Sequence, residues 1–540
     1  MAFAVINGAG WSSLEARRAH NPKVTGSNPV PATIISSSRH MVTVFSLYYK
    51  LKEGNEMNSQ FLLTQMKEGK ELSGRKQFQL ICFLSIPAIL AQITSIVMQY
   101  IDAAMVGSLG AKASASIGLV SSSTWLFSGI CGAVASGFSI QSARCIGAGK
   151  IKEARNIMRQ SVLAAAIVSL CLVLGGTLIA GSLPKWLGAS TEIQKNASAY
   201  FLVFILSLPV IQLNRLAGSM LQSSGDMRTP GALNILMCLL DVIFNGLLIF
   251  PARFISIAGA SLWIPGADLG VMGAALGTAL AELVTAVLMM GYLCLYSDTF
   301  RVKRGESWKL QKNCIYKAVR LAVPIGWENV MMCGAMIATT RIVAPLGAVA
   351  IAANSFAVTA ESLCYMPGYG IADAAATLTG QSLGAGRYEL TRRFSRMAVW
   401  IGIAIMAAAG AAMFFAAPMM MSFLTPDAEI QMLGVEILRI EVFAEPMYAA
   451  SIVASGALRG VGDTLRPSMM NFISIWFVRL PLAIILSRSL GLRGVWIAMC
   501  LELCFRGVIF LIRLYRERWL PKGGEEIAEE NGISSCGTRT

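Results

Sequence analysis

The residues that could do chemistry are acids set inside long apolar runs, above all Asp102 and Asp241. A charged side chain at mid-bilayer depth costs about 2.5–3.5 kcal/mol on insertion scales. It must face a cavity, pair with another group, or give up its charge. Gln92, Ser95, Gln99 and Asp102 fall at i, i+3, i+7 and i+10, one polar stripe on a helix that should face the protein interior. Asn234, Asp241 and Asn245 share a second helical face. Carboxylates beside a carboxamide offer hard oxygens or a proton acceptor. Asp102, Asp241 and Asn245 are therefore the candidate ion-coupling residues, for H⁺ or for Na⁺ held at Asp102 and Asp241. No other metal and no organic cofactor is expected. The only histidines, His20 and His40, precede the first apolar run, and no cysteine pair has CxxC spacing. Histidine catalysis within the membrane is excluded, and neither a disulfide framework nor a zinc site is indicated.

A second set lies in the C-terminal half. Glu328, Glu361 and Glu445, with Gln99, are expected to line a substrate cleft and attract cations. Glu441 stands one turn from Glu445 and Tyr365 one turn from Glu361. The competing expectation is ion pairing of these acids with Arg479 or Arg341. Glu502 and Arg506, at i and i+4, read as a structural pair. Glu282 has no evident partner in the sequence. Met331, Met332, Met336, Phe356 and Trp476 could face flat cations through cation–π contacts or simply face lipid.

The elements that must position these residues are membrane helices. Of 540 residues 55% are apolar and only 14% charged, about half the charge of a soluble domain. Apolar runs long enough to cross a bilayer fall at roughly 78–106, 115–138, 157–183, 199–222, 231–250, 271–296, 318–343, 350–375, 397–424, 434–456, 468–487 and 494–515. Basic residues flanking them divide 27 to 6 between the two sides. The positive-inside rule then puts both termini in the cytoplasm of a multi-pass plasma (inner) membrane protein. The net charge of +15 is thus a topology signal, with anionic inner-leaflet lipid rather than nucleic acid as its partner.

The chain also repeats itself at an offset of 237. Pro87 matches Pro324, Gly147-Ala148-Gly149 matches Gly384-Ala385-Gly386, Pro209 matches Pro446, and Gly225-Asp226 matches Gly462-Asp463. Sixteen residues around 251–270 have no counterpart in the second half. The expected fold is all-α and polytopic: twelve transmembrane helices in two parallel six-helix repeats around a central cleft. Prolines within spans, Pro87 and Pro324 first, are placed to permit bending. The acids break the repeat, because Thr339 and Val478 stand where Asp102 and Asp241 would recur. The expected organisation is a cytoplasmic segment at 57–77, an N-terminal lobe at 78–296, a basic linker at 297–317, a C-terminal lobe at 318–515 and a tail at 516–540. Residues 1–56 read as spurious or disordered: Gly26-Ser27-Asn28-Pro29-Val30 back-translates into a transfer-RNA T-arm. Met57 is the expected start.

Asp102-Ala103-Ala104-Met105-Val106-Gly107, IGAGK at 146–150, GDMRTP at 225–230, TGQSLGAG at 379–386 and ALRGVGDTLRP at 457–467 together resemble the multidrug and toxic compound extrusion family. The resemblance spans roughly residues 75–515. It implies an antiporter that expels organic cations in exchange for H⁺ or Na⁺. Leu239-Leu240-Asp241 with Asn245 resembles the subgroup carrying an aspartate on helix 5. Some members have a glutamate where this chain has Met332, so a Na⁺ site built around that residue is not implied.

The expected function is therefore ion-coupled export by alternating access, carried out by a monomer on small organic cations. A flippase for lipid-linked precursors is the alternative within transport, and it should need several arginines in the cleft. From other classes stand an intramembrane enzyme, for which no HExxH or GxSxG exists, and a channel, which would not need asymmetric acids. GAGK at 147–150 is followed by Ile151 and is no ATP-binding loop.

Overall fold

The computed structural model describes residues 59–520, apart from 258–259, 304 and 307. The proposed spurious stretch 1–56 and most of the tail lie outside the described residues. Eleven described helices are long and apolar enough to cross a membrane. They are α1 (Gly74–Gly107), α2 (Lys112–Gly147), α3 (Ile151–Ala180), α4 (Thr191–Ser224), α5 (Arg228–Leu248), α6 (Gly270–Tyr296), α7 (Lys312–Leu346), α8 (Ala348–Gly384), α9 (Tyr388–Leu424), α11 (Leu465–Leu490) and α12 (Leu492–Tyr515). The expected tenth span is present but broken into α10a (Ala428–Glu441) and α10b (Glu445–Gly460). With it the membrane helices number twelve.

The local sequence accommodates the break. Pro446 sits in the first turn of α10b, where a missing N–H costs nothing. Its repeat partner Pro209 lies inside α4, which continues through it, as α1 and α7 continue through Pro87 and Pro324. A proline permits a break here but does not impose one. Helix 11 departs from α geometry over Ser474–Arg479, a π turn.

Packing repeats with the sequence. In the N-terminal lobe α4 packs on α2, α3 and α6, and in the C-terminal lobe α10b packs on α8, α9 and α12. The lobes meet along α1–α8 and α2–α7, pairs that exchange under the repeat. The GDMRTP motif ends α4 and starts α5: Asp226 accepts from the N–H groups of Arg228 and Thr229 at 3.1 and 3.0 Å. Its counterpart Asp463 is instead paired with Arg513.

Segments outside the membrane helices are ordered as well. The unmatched residues of the first half form an antiparallel hairpin, β1 (Pro251–Ile257) and β2 (Ala260–Ala267), with Phe254 opposite Trp263. A short helix over 59–67 buries Leu62, Leu63 and Met66 against Met227 of one lobe and Leu378 and Phe394 of the other. The basic linker is docked rather than loose. Glu306 is paired with Arg155 and Arg159 of α3, and Gln160 bonds the backbone of Lys309 and Gln311.

Candidate functional site

The three ion-coupling candidates come together inside the N-terminal lobe. The Asn245 Nδ2 donates to Asp102 Oδ1 at 2.9 Å and to Asp241 Oδ2 at 3.0 Å. Asp241 and Asn245 are fully buried, whereas Asp102 is partly exposed. One oxygen of each buried residue, Asp241 Oδ1 and Asn245 Oδ1, has no hydrogen-bond partner. Such orphan oxygens are costly in an apolar interior. Their donor chemistry, two carboxylates and a carboxamide oxygen, fits a proton or a small hard cation. Tyr200 and Thr278 stand beside the acids, and the described residues place no basic side chain on either one. Gly277 of α6 makes the close approach possible, since a Cβ there would collide with the Asn245 carboxamide.

The polar stripe of α1 does not face one interior. Asp102 turns into its own lobe, but Gln92 Nε2 reaches across to Asp373 Oδ2 of α8 at 3.3 Å. Between them Gln99 is exposed. Thus α1 is itself a wall of the seam, and its stripe serves both lobes.

The C-terminal acids are arranged differently from the expectation that placed three of them in the cleft. Glu361 and Glu445 are 7% and 1% exposed, buried within the C-terminal lobe with Glu441. They do not line the central cavity in this conformation. The reason is the broken helix: Glu441 ends α10a and Glu445 begins α10b, so both project at the break. All four of their carboxyl oxygens lack hydrogen-bond partners. Arg479 and Arg506 instead clasp Glu502, at 2.8 and 3.1 Å, as expected for the Arg506 pair. Glu328 does reach the cavity, but Arg459 bonds both its oxygens at 2.8 Å, and Ser468 and Asn471 at 2.6 and 2.8 Å. Its partner is neither Arg479 nor Arg341. Glu282 has a partner after all, Asn214 Nδ2 at 2.6 Å.

The cavity itself lies between the lobes and measures about 190 Å³. Beneath it the lobes are sealed at the face bearing the basic loops. The two GAG turns oppose each other there: a Cβ on Gly147 would strike the Gln381 carbonyl, and one on Gly384 the Arg144 carbonyl. Gln381 donates to Ser223 O at 2.8 Å and Thr377 to Gln222 O at 3.1 Å, while Arg144 bonds Val461 O. Toward the opposite face, the hydrogen bonds that described residues make across the seam end at Tyr100 with Thr359 and Ser362, and at Cys333 with Ser122. Arg144 and Gln381 are repeat partners, so the motif repeat builds a two-sided latch.

Sequence reading missed Asp373 and Arg459 as cavity residues. Asp373 stands as an isolated acid within an apolar run, and Arg459 entered only as one of the basic residues flanking the spans.

A two-lobed bundle of twelve helices, sealed on one face around a central cavity, defines a secondary-transporter fold rather than an enzyme. The MatE family model matches residues 87–247 and 324–485, one match per lobe. The chain belongs to the MatE family. It is 27% identical over 449 residues to the "Probable multidrug resistance protein NorM" of Thermotoga maritima, covering 81% of this chain and 92% of that one. Its namesake in Idiomarina loihiensis is 26% identical over 463 residues, covering 82% and 95%. Among solved structures, the outward-facing conformation of a multidrug resistance MATE family transporter superposes with a TM-score of 0.75 at 21% identity, covering 82% of this chain and 96% of that one. A MOP superfamily transporter from Pyrococcus furiosus gives 0.75 at 20% identity, with 82% and 95% covered.

Proposed function

We propose that this protein exports small organic, mainly cationic compounds across the plasma membrane in exchange for H⁺ or Na⁺. It works as a monomer by alternating access, with both termini and the basic loops in the cytoplasm. The observation that carries the reading is the Asp102–Asn245–Asp241 cluster, two acids joined by one amide with no resident basic partner. A site that lacks a permanent counter-charge is one whose charge must be supplied by a mobile ion. When H⁺ or Na⁺ occupies it, the like charges of Asp102 and Asp241 no longer oppose each other and the lobe can close. When the ion leaves, the lobe relaxes and the cavity takes up its cargo. The names carried by the Thermotoga and Idiomarina relatives support drug-like cargo. The sealed basic face supports a conformation open to the outside. A flippase would need several free arginines, and Arg459 and Arg506 are each committed to glutamates.

Vesicles loaded with a fluorescent organic cation, with H⁺ and Na⁺ gradients imposed separately, test this. Dye should move uphill under at least one gradient. Dye that only runs down its own gradient, whichever ion is imposed, would leave a leak pathway and sink the antiport reading.

A further inference from the structure

A second hollow lies between α11 and α12 of the C-terminal lobe and shares no lining residue with the central cavity. It is a groove of about 400 Å³. Its walls are Met470 and Ile473 of α11 and Phe505, Ile509 and Ile512 of α12. Ile473, Phe505 and Ile512 are exposed. Its charged residues are Arg513, Arg516 and Arg518. Phe505, Ile509, Ile512 and Arg516 fall at i, i+4, i+7 and i+11, one face of α12 that is apolar until the helix ends. The groove is thus apolar along the span and basic at the span's end.

The turn that carries the arginines is anchored. Glu517 is in the left-handed region, at φ 54°, and its carboxylate pairs with Arg392 and Arg396 of α9. Trp519 is buried, and its indole donates to the Leu514 carbonyl at 2.9 Å. Arg513 is paired with Asp463. Arg516 and Arg518 flank Glu517 in sequence but are exposed, and among the described residues their side chains make no ion pair or hydrogen bond.

Exposed apolar side chains on a membrane helix meet acyl chains, and a basic pocket between helices at the membrane surface draws anionic headgroups. The planar fork of arginine suits phosphate oxygens. A free phosphate would leave the apolar walls bare, and a lipid without net charge would leave the two guanidiniums unmatched. We propose that this groove is a binding site for one anionic phospholipid. Its phosphate docks on Arg516 and Arg518, and an acyl chain lies along Ile473, Phe505 and Ile509. Arg513 stays with Asp463, so the lipid draws on charge that the protein does not use elsewhere. The site is independent of the ion-coupling acids and of the cargo.

The test uses the purified full chain, stripped of lipid in detergent, and counts bound lipid by native mass spectrometry. The probes are dioleoyl phosphatidylglycerol and dioleoyl phosphatidylcholine, which share their chains and differ in net charge. The first phosphatidylglycerol should bind about tenfold more tightly than the first phosphatidylcholine, as two surface arginines would give. Arg516→Gln with Arg518→Gln should bring the two lipids within about twofold, and Ile509→Trp, which fills the groove, should weaken phosphatidylglycerol at least about threefold. Soluble glycerol phosphate at millimolar concentration should displace neither lipid. Equal binding of the two lipids to the wild-type chain overturns the proposal, and that ratio decides even if a variant fails to fold. A preference that survives the double arginine variant overturns it too, and so does displacement by glycerol phosphate, which would mark a bare phosphate site. The acidic stretch Glu525-Glu526 and Glu529-Glu530 follows closely in the sequence. If a preference emerges only after Glu525→Gln, Glu526→Gln, Glu529→Gln and Glu530→Gln are combined, the tail is the occupant and the lipid is not.

Discussion

The two lobes share a fold and a packing scheme, yet they treat buried acid in opposite ways. In the N-terminal lobe Asp102 and Asp241 are joined by Asn245 and meet no arginine. In the C-terminal lobe Glu361, Glu441, Glu445 and Glu502 are set among Arg479 and Arg506, with Glu502 held by both. A resident cation fixes a charge state, because removing either partner of a buried pair strands the other. An acid without one is free to exchange its charge with a mobile ion. The duplicated scaffold thus carries an acid pair suited to exchange in one lobe and, in the other, one acid, Glu502, held constant by two arginines.

The sharpest way to break this contrast is to remove charge from the N-terminal site. Asp102→Asn and Asp241→Asn keep the size and delete the carboxylate. The cost of a mid-membrane charge, about 2.5–3.5 kcal/mol, corresponds to roughly a hundredfold in the equilibrium the ion can bias. Coupled export should fall by about that factor, with normal insertion and a melting temperature no lower than that of the wild type. Uphill dye flux against membrane protein level is the measurement. An Asp102→Asn variant that retains the wild-type dependence on both H⁺ and Na⁺ would remove this residue from coupling.

A second intervention acts on what the lobes share. The GAG turns meet backbone to backbone, Gly147 on Gln381 and Gly384 on Arg144. Any side chain here must part the lobes. Gly384→Val and Gly147→Val should each prevent closure of the basic face and slow turnover at least about tenfold, as a shift of about 1.4 kcal/mol toward the open state would do. Because the latch is symmetric, the two variants should match within about threefold. The check is flux, together with labelling of a cysteine at Ser139 from the basic side in a chain stripped of its own thiols. Unchanged labelling would show that this contact is not the gate.

Much of this was legible in the sequence, and for a physical reason. Spans are set by hydropathy, a local quantity, and the repeat can be matched residue against residue. The joining of Asp102 to Asp241 followed because each acid had a helical face and no place in lipid. The break in helix 10 was not legible, since Pro209 and Pro446 occupy equivalent positions and only one interrupts its helix. Nor were the partners of Glu328. Arg459, Ser468 and Asn471 come from the end of α10b and from α11, and only tertiary packing brings them to α7. The hairpin at 251–267 was seen as an insertion but not as strands.

The smallest expected effect sharpens the comparison most. Glu445 begins α10b, where the half-helix dipole is positive, and both its oxygens lack partners. It is 1% exposed, so it cannot touch cargo in this conformation. It can act only through its field. Four glutamates against two arginines leave the C-terminal lobe interior an excess of acid that favours cations in the neighbouring cavity. Glu445→Gln keeps the shape and removes one charge, an interaction of about 0.3–1 kcal/mol at a helix end. Export of a permanently cationic dye should drop about threefold in kcat/KM, while an uncharged cargo is unaffected. The dependence on imposed H⁺ and Na⁺ gradients should stay as in the wild type, because the exchangeable charge sits in the other lobe. If Glu445→Gln instead shifts that ion dependence as Asp102→Asn does, the broken helix is a coupling element, and the division of labour between the lobes is wrong.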